Sequence, residues 1–269
     1  MSNTAVGAEI NIGFGSAGNE QKWNVKYFGY LEIFRDNSRK YPWAIGVLLQ
    51  HELVANPNNS ISFLMRGSIW NETLVLFKDF KKFEVSLGFT HHCRHEIDNS
   101  IPADETKPKP IDFIPSRRLI VNTSEHLTFT SKEIFLAKNL TARFLVRTDI
   151  FTYFVDGREG PDRTQEQSWD YLRASNLLGA RLNVNLGENC SIYSRNWLNI
   201  LYFTKKYDHT IKPVGSNARA EIGFSGKGIK GNFEFFGAYE KFFDDVSRPF
   251  RQPSEVFIIG MRGRGKLFF

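Results

Sequence analysis

The sequence predicts an all-β fold, an antiparallel barrel of about twelve strands built to cross a membrane, and three observations predict it. Apolar and polar residues alternate with a period of two in segment after segment, and strong helical periodicity is absent. The alternating segments are long, commonly twelve residues or more. Tilted strands that cross a bilayer need that length, whereas strands of soluble proteins run to about six residues. The connections sort by parity: from the third onward most odd ones are long, and several even ones are tight turns.

The expected strands are 5–16, 23–35, 43–54, 60–77, 82–95, 117–129, 138–156, 167–186, 191–204, 216–226, 231–242 and 254–269. Phe83, Val85, Leu87 and Phe89 alternate with Glu84, Ser86 and Gly88 in the fifth. In the seventh, Leu140, Ala142, Phe144, Val146 and Ile150 oppose Arg143, Arg147 and Asp149. In the eighth, Leu178, Ala180, Leu182, Val184 and Leu186 oppose Gly179, Arg181, Asn183 and Asn185. The long connections follow odd-numbered strands, and 96–116, rich in Pro and charge, is the longest. The even ones, 36–42, 78–81, 130–137, 187–190 and 227–230, read as the turns of the opposite, periplasmic end. Trp23, Tyr41, Trp43, Trp70, Trp169, Tyr171 and Trp197 fall where interfacial aromatic girdles are expected. No internal repeat or linker divides the chain, so one domain, 1–269, is expected.

Composition agrees. Apolar residues make up 41% and aromatics 14%, with 25 Phe, which is enough for a folded β protein. No apolar run reaches the roughly 18 residues of a membrane-crossing helix. The mean hydropathy of −0.34 does not argue against a barrel, whose strands need apolar residues only at alternate positions. The net charge of +6 comes without a clustered basic face, a helix or a motif, so nucleic acid is not an expected partner. The start, Met1-Ser2-Asn3-Thr4-Ala5, is not a secretory signal, so an export signal is expected to be absent from this chain.

The last segment, SEVFIIGMRGRGKLFF, puts Phe257, Ile259, Met261, Gly263, Gly265, Leu267 and Phe269 on one parity and Ile258, Gly260, Arg262, Arg264 and Lys266 on the other. The first suits lipid and the second a polar lumen. Ending on an aromatic residue in register with the apolar parity, the chain resembles bacterial outer-membrane β-barrel proteins as a class. The resemblance covers the whole chain as architecture and these final residues as motif. It implies a bacterial outer-membrane location and outer-membrane lipid as surroundings. It also implies the barrel-assembly machinery as a partner in biogenesis, with Phe269 and Leu267 as the assembly signal.

Chemistry concentrates in Thr90-His91-His92-Cys93-Arg94-His95-Glu96-Ile97-Asp98-Asn99. Residues i, i+2 and i+4 of a strand share a face, so His91, Cys93 and His95 form one candidate metal set. His91-x-Cys93 is also similar in spacing to the His-x-Ser pair of outer-membrane lipid A deacylases, with Cys where that family has Ser. That likeness implies a hydrolase in which His91 activates Cys93, with Glu96 or Asp98 orienting the imidazole. A polar strand end meeting lipid headgroups accounts for the same residues without chemistry. Arg143, Arg147, Arg181, Arg262, Arg264 and Lys266 fall on lumen parity, with Asp149, Glu84, Glu234 and Glu240 as candidate partners. A basic lumen favours anions, and a closed ion-pair network fills a narrow barrel. Cys93 and Cys190 belong at opposite ends of the strands, so no disulfide is expected. No cofactor motif is present.

Three functions remain open on these residues. The foremost, because it asks least of the sequence, is a narrow pore or transport barrel with a basic lumen. Another is a membrane-embedded hydrolase of lipid or lipid A working through His91 and Cys93. The third is a structural or partner-binding barrel acting through loop 96–116.

Overall fold

A computed structural model describes residues 4–14, 23–37, 40–56, 64–97, 117–159, 172–204, 214–228, 231–242 and 254–267. These residues form strands β1 (Thr4–Phe14), β2 (Trp23–Asp36), β3 (Trp43–Asn56), β4 (Leu64–Asp79), β5 (Phe83–Ile97), β6 (Arg117–Ser131) and β7 (Ile134–Ala137). The series continues with β8 (Leu140–Glu159), β9 (Leu172–Asn185), β10 (Cys190–Phe203), β11 (Val214–Lys227), β12 (Gly231–Phe242) and β13 (Ser254–Leu267).

Consecutive strands pair antiparallel except β6 and β7; β6 pairs directly with β8, and β1 pairs with β13 from Thr4↔Leu267 to Phe14↔Phe257. The ring therefore closes on twelve strands, with short β7 as an extra piece. Closure leaves no unpaired edge around the ring, the condition under which a sheet crosses hydrocarbon.

The alternation seen in the sequence becomes inside and outside. On β13, Phe257, Ile259 and Met261 are exposed on the exterior while Ile258 and Arg262 are buried in the lumen. On β5 the exterior takes Phe83, Leu87 and Phe89, and the interior takes Ser86 and Thr90. The outer surface is an apolar belt running through Leu31, Leu49, Leu74, Leu127, Phe144, Leu178, Ile222 and Phe235. In water such a surface drives aggregation; in a bilayer it is the solvent-matched face. Strand bounds also place the connections: 15–22, 57–63, 98–116, 160–171, 204–213 and 243–253 at one end, and 37–42, 80–82, 132–139, 186–189 and 228–230, shorter on the whole, at the other.

Two expectations need correction. Residues 130–137 were expected as a turn, but β6 runs to Ser131 and the chain resumes as β7, paired with β8 through Ile134↔Ala142 and Phe135↔Thr141. The turn itself is Lys138–Asn139. Ile134, Phe135, Leu136 and Ala137 are all exposed, so this stretch has no alternation from which to read a strand. Trp197 was expected at an interface, but it shares the lumen-facing parity of Tyr193 and Leu201 in the interior of β10. Trp169 and Tyr171 lie outside the described residues.

Inside, bulky rings sit over glycines of the neighbouring strand. The His126 ring occupies the space that a Cβ on Gly88 would need, and Phe236 does the same at Gly260. Glycine is required there because nothing larger lets the ring approach the wall so closely.

Candidate functional site

Two polar regions stand out, one within the ring and one on its lipid face. The interior region spans β1 and β9 to β13. Arg262 donates from Nε to Glu9 Oε2 at 2.7 Å, from Nη1 to Glu234 Oε2 at 2.6 Å, and from Nη2 to Glu221 Oε2 at 3.0 Å. Arg219 donates to Glu221 Oε2 at 2.6 Å and to Glu240 Oε2 at 3.2 Å. Arg181 donates to Glu234 Oε1 at 2.7 Å. The guanidinium groups also stack on rings: Arg181 sits 4.2 Å from the centre of Tyr193, and Arg262 4.7 Å from that of Phe236. Tyr193 donates its hydroxyl proton to Glu221 Oε1 at 2.9 Å. Buried charge is costly unless every member is paired, and here each guanidinium meets carboxylates and a ring.

This network contains two of the six lumen cations expected from sequence, Arg181 and Arg262. A third, Arg147, pairs with Asp149 at 2.6 Å. Arg264 sits 5.6 Å from the centre of the Phe28 ring, and exposed Arg143 donates to the Ser131 carbonyl at 3.2 Å. Lys266 occupies lumen register opposite Ala5, but its side chain lies outside the described residues. Glu9, Arg219 and Glu221 were not singled out, although their inward parity was legible; alternation gives a residue's face, not its partner across the ring.

The other half of the interior is lined by hydroxyls, amides and imidazoles. His92 Nδ1 lies 2.7 Å from Asn71 Oδ1, and its Nε2 lies 3.2 Å from Ser124 Oγ. Ser124 donates to Asp149 Oδ1 at 3.1 Å. Thr90 links Thr73, at 3.0 Å, to His126 Nδ1, at 3.3 Å. Ser124 is fully buried and its one proton goes to Asp149, so the chain ties β4, β5, β6 and β8 together rather than presenting a nucleophile.

The lipid-face region lies on β3, β4 and β5, toward the end carrying the long connections. His91, Cys93 and His95 share the outward face of β5, as their spacing predicts. The Cys93 thiol lies 3.2 Å from His95 Nε2, and His91 Nδ1 lies 3.2 Å from Glu72 Oε2 on β4. Directly across from Cys93 stands Trp70, whose indole stacks on His51 with ring centres 3.7 Å apart. His51 Nε2 lies 2.8 Å from Ser68 Oγ.

This geometry redistributes the expected roles. The imidazole on the thiol belongs to His95, not His91, because the two side chains lean together along one face. The carboxylate on His91 is Glu72 of the adjacent strand; the Glu96 side chain and Asp98 lie outside the described residues. Among the described residues no group of three or more His, Cys, Asp or Glu side chains is placed to hold a metal ion. Cys93 and Cys190 are both free thiols. Leu267 pairs with Thr4 at the end of β13, its side chain and Phe269 lying outside the described residues, as does most of loop 96–116.

No protein-family model matches the sequence, and no curated protein matches it. Solved structures with a similar course include the translocator domain of the autotransporter NalP from Neisseria meningitidis, at 9% identity, covering 99% of this chain and 88% of that one, with a TM-score of 0.46. Outer membrane phospholipase A from Escherichia coli is similar at 14% identity, covering 97% and 91%, with a TM-score of 0.46. The Pseudomonas putida toluene transporter TodX is similar at 8% identity, covering 100% and 89%, with a TM-score of 0.46. The barrel described above rests on this chain's own register and side-chain facing.

Proposed function

We propose that the protein is an integral barrel of a bacterial outer membrane and that its lipid-facing thiol cluster cleaves acyl esters of membrane lipids. The observation that carries this reading is the 3.2 Å approach of Cys93 Sγ to His95 Nε2 on the exterior of the ring. A polar cluster on a lipid-facing wall is disfavoured unless it lies near the interface or is used. A thiol beside an imidazole is the minimal nucleophile and base. His95 Nε2 takes the thiol proton, and Cys93 Sγ attacks the ester carbonyl carbon. The tetrahedral intermediate collapses as the alcohol leaves with the proton from His95. Water, deprotonated by the same imidazole, then hydrolyses the thioester and frees the fatty acid. The His91–Glu72 pair lies beside the dyad on the neighbouring outward positions. Outer-membrane lipid is thus both surroundings and substrate, and barrel-assembly machinery is the expected partner in insertion.

The test is release of fatty acid from vesicles of phospholipid and lipid A carrying the folded barrel, followed by mass spectrometry. Cys93→Ala and His95→Ala are expected to lower release to that of protein-free vesicles, while Cys190→Ser leaves it unchanged. Release that survives Cys93→Ala would sink the thiol mechanism.

A second reading, a narrow pore with a basic lumen, is favoured by Arg143 and Arg264, lumen-parity cations that are exposed rather than sealed inside carboxylate cages. It predicts single-channel steps in planar bilayers with anion preference, and a reversal potential that moves toward zero in the Arg143→Ala/Arg264→Ala variant. An electrically silent bilayer with inserted protein excludes it.

A further inference from the structure

We infer that two copies of this chain associate in the membrane through the outer face of β9, β10 and β11, with Asn196 at the centre of the contact. The observation is a polar pair where hydrocarbon is expected. Asn196 and Ser194 are on the outward parity of β10, and Asn196 is exposed. Along the same face they are bracketed by Ile192 on one side and Leu198 on the other, both exposed. Across the sheet Asn196 is opposite Ala180 of β9 and Ala220 of β11, and Ser194 is opposite Leu182 and Ile222. The pair is therefore enclosed by apolar side chains in every direction, within the belt and not at its rim. Asn196 donates one amide proton to Ser194 Oγ at 2.9 Å. A primary amide has a second N–H and a carbonyl oxygen, and lipid chains satisfy neither.

A second copy satisfies both. Two barrels inserted with the same orientation are related by a two-fold axis along the membrane normal, so each residue meets residues at its own depth in the other. An amide near that axis faces the same amide of the partner, and a primary amide is self-complementary, N–H to C=O in both directions. Ala180, Ala218 and Ala220 keep the walls low around Asn196, which lets the two sheets approach closely enough for the pair to form. Leu178, Leu182, Leu198 and Ile222 then form an apolar surround that excludes competing polar groups. The interface is independent of the thiol cluster, which lies on β3 to β5.

The experiment uses the full chain folded in detergent and in lipid nanodiscs, with Cys93→Ser/Cys190→Ser as background. Asn196→Cys is expected to give a covalent dimer on oxidation, while Leu49→Cys, on the outward face of β3, gives none. Sedimentation of the otherwise unmodified chain is expected to show a dimer, and Asn196→Leu to weaken it at least tenfold while the folded monomer remains. Leucine on a lipid face suits hydrocarbon, so this variant is not at risk of misfolding. A wild-type chain that sediments as a monomer in both media overturns the inference. So does a failure of Asn196→Cys to cross-link, or a dimer unaffected by Asn196→Leu.

Discussion

Replacing Arg262 with alanine is expected to destabilise the folded barrel by about 3–5 kcal/mol, the range found when one partner of a buried ion pair is removed. Arg262 is only 3% exposed and bridges Glu9, Glu221 and Glu234, so its loss leaves three buried carboxylates short of a cation. Arg219 reaches Glu9 and Glu221 as well, but it already serves Glu240 and cannot take over Glu234. The guanidinium also covers Phe236, so alanine opens a void against that ring. Urea unfolding of the barrel in lipid vesicles, followed by tryptophan fluorescence, measures the effect. Because Arg219 and Arg262 share two carboxylates, Arg219→Ala and Arg262→Ala are expected to combine non-additively. A loss under about 1 kcal/mol for Arg262→Ala would mean that the carboxylates reach water in the folded state, contrary to their burial.

The second large effect is expected at Gly260. A valine there is expected to cost roughly 3 kcal/mol, the upper end of overpacking penalties, or to stop insertion altogether. A Cβ at this position meets the Phe236 ring and lies 2.8 Å from Cβ of Asn11. Overpacking is mild when the neighbour is a free side-chain end, but Phe236 is 1% exposed and lies between Arg219 and Arg262. Yielding would break the charge network as well. The contrast is Gly29, beside which a Cβ meets nothing within 4 Å, so Gly29→Ala is expected to be silent. The shift of heat-denatured against folded bands on a gel separates the two. Equal behaviour of Gly260→Val and Gly29→Ala would refute the packing account.

Much of the fold was legible because a membrane barrel writes its geometry at every second residue. Phe257, Ile259 and Met261 against Ile258 and Arg262 sufficed to orient β13 and its flanks. Where alternation fails, reading fails: Ile134, Phe135, Leu136 and Ala137 are apolar on both parities, so β7 carries no period-two signal that marks a strand. Trp197 was placed at an interface from its residue type, although its parity with Tyr193 pointed inward. For the thiol cluster, the face was readable and the partners were not. Cys93 and His95 meet within one strand, a matter of side-chain lean that spacing leaves open. Glu72 reaches His91 only through the β4–β5 register, and register is set by packing over the whole sheet. The Glu9–Arg262 contact joins residues 253 apart in sequence, beyond any local pattern.

That last contact sits on the seam between β1 and β13, where Thr4 lies beside Leu267. Every other hydrogen-bonded neighbour pair joins strands close together along the chain; this one joins its two extremities. Loop-closure entropy makes such a pairing the costliest in the ring to bring together, and a sheet lacking it keeps two bare margins. The latch at Glu9 and Arg262 rewards only the finished circle.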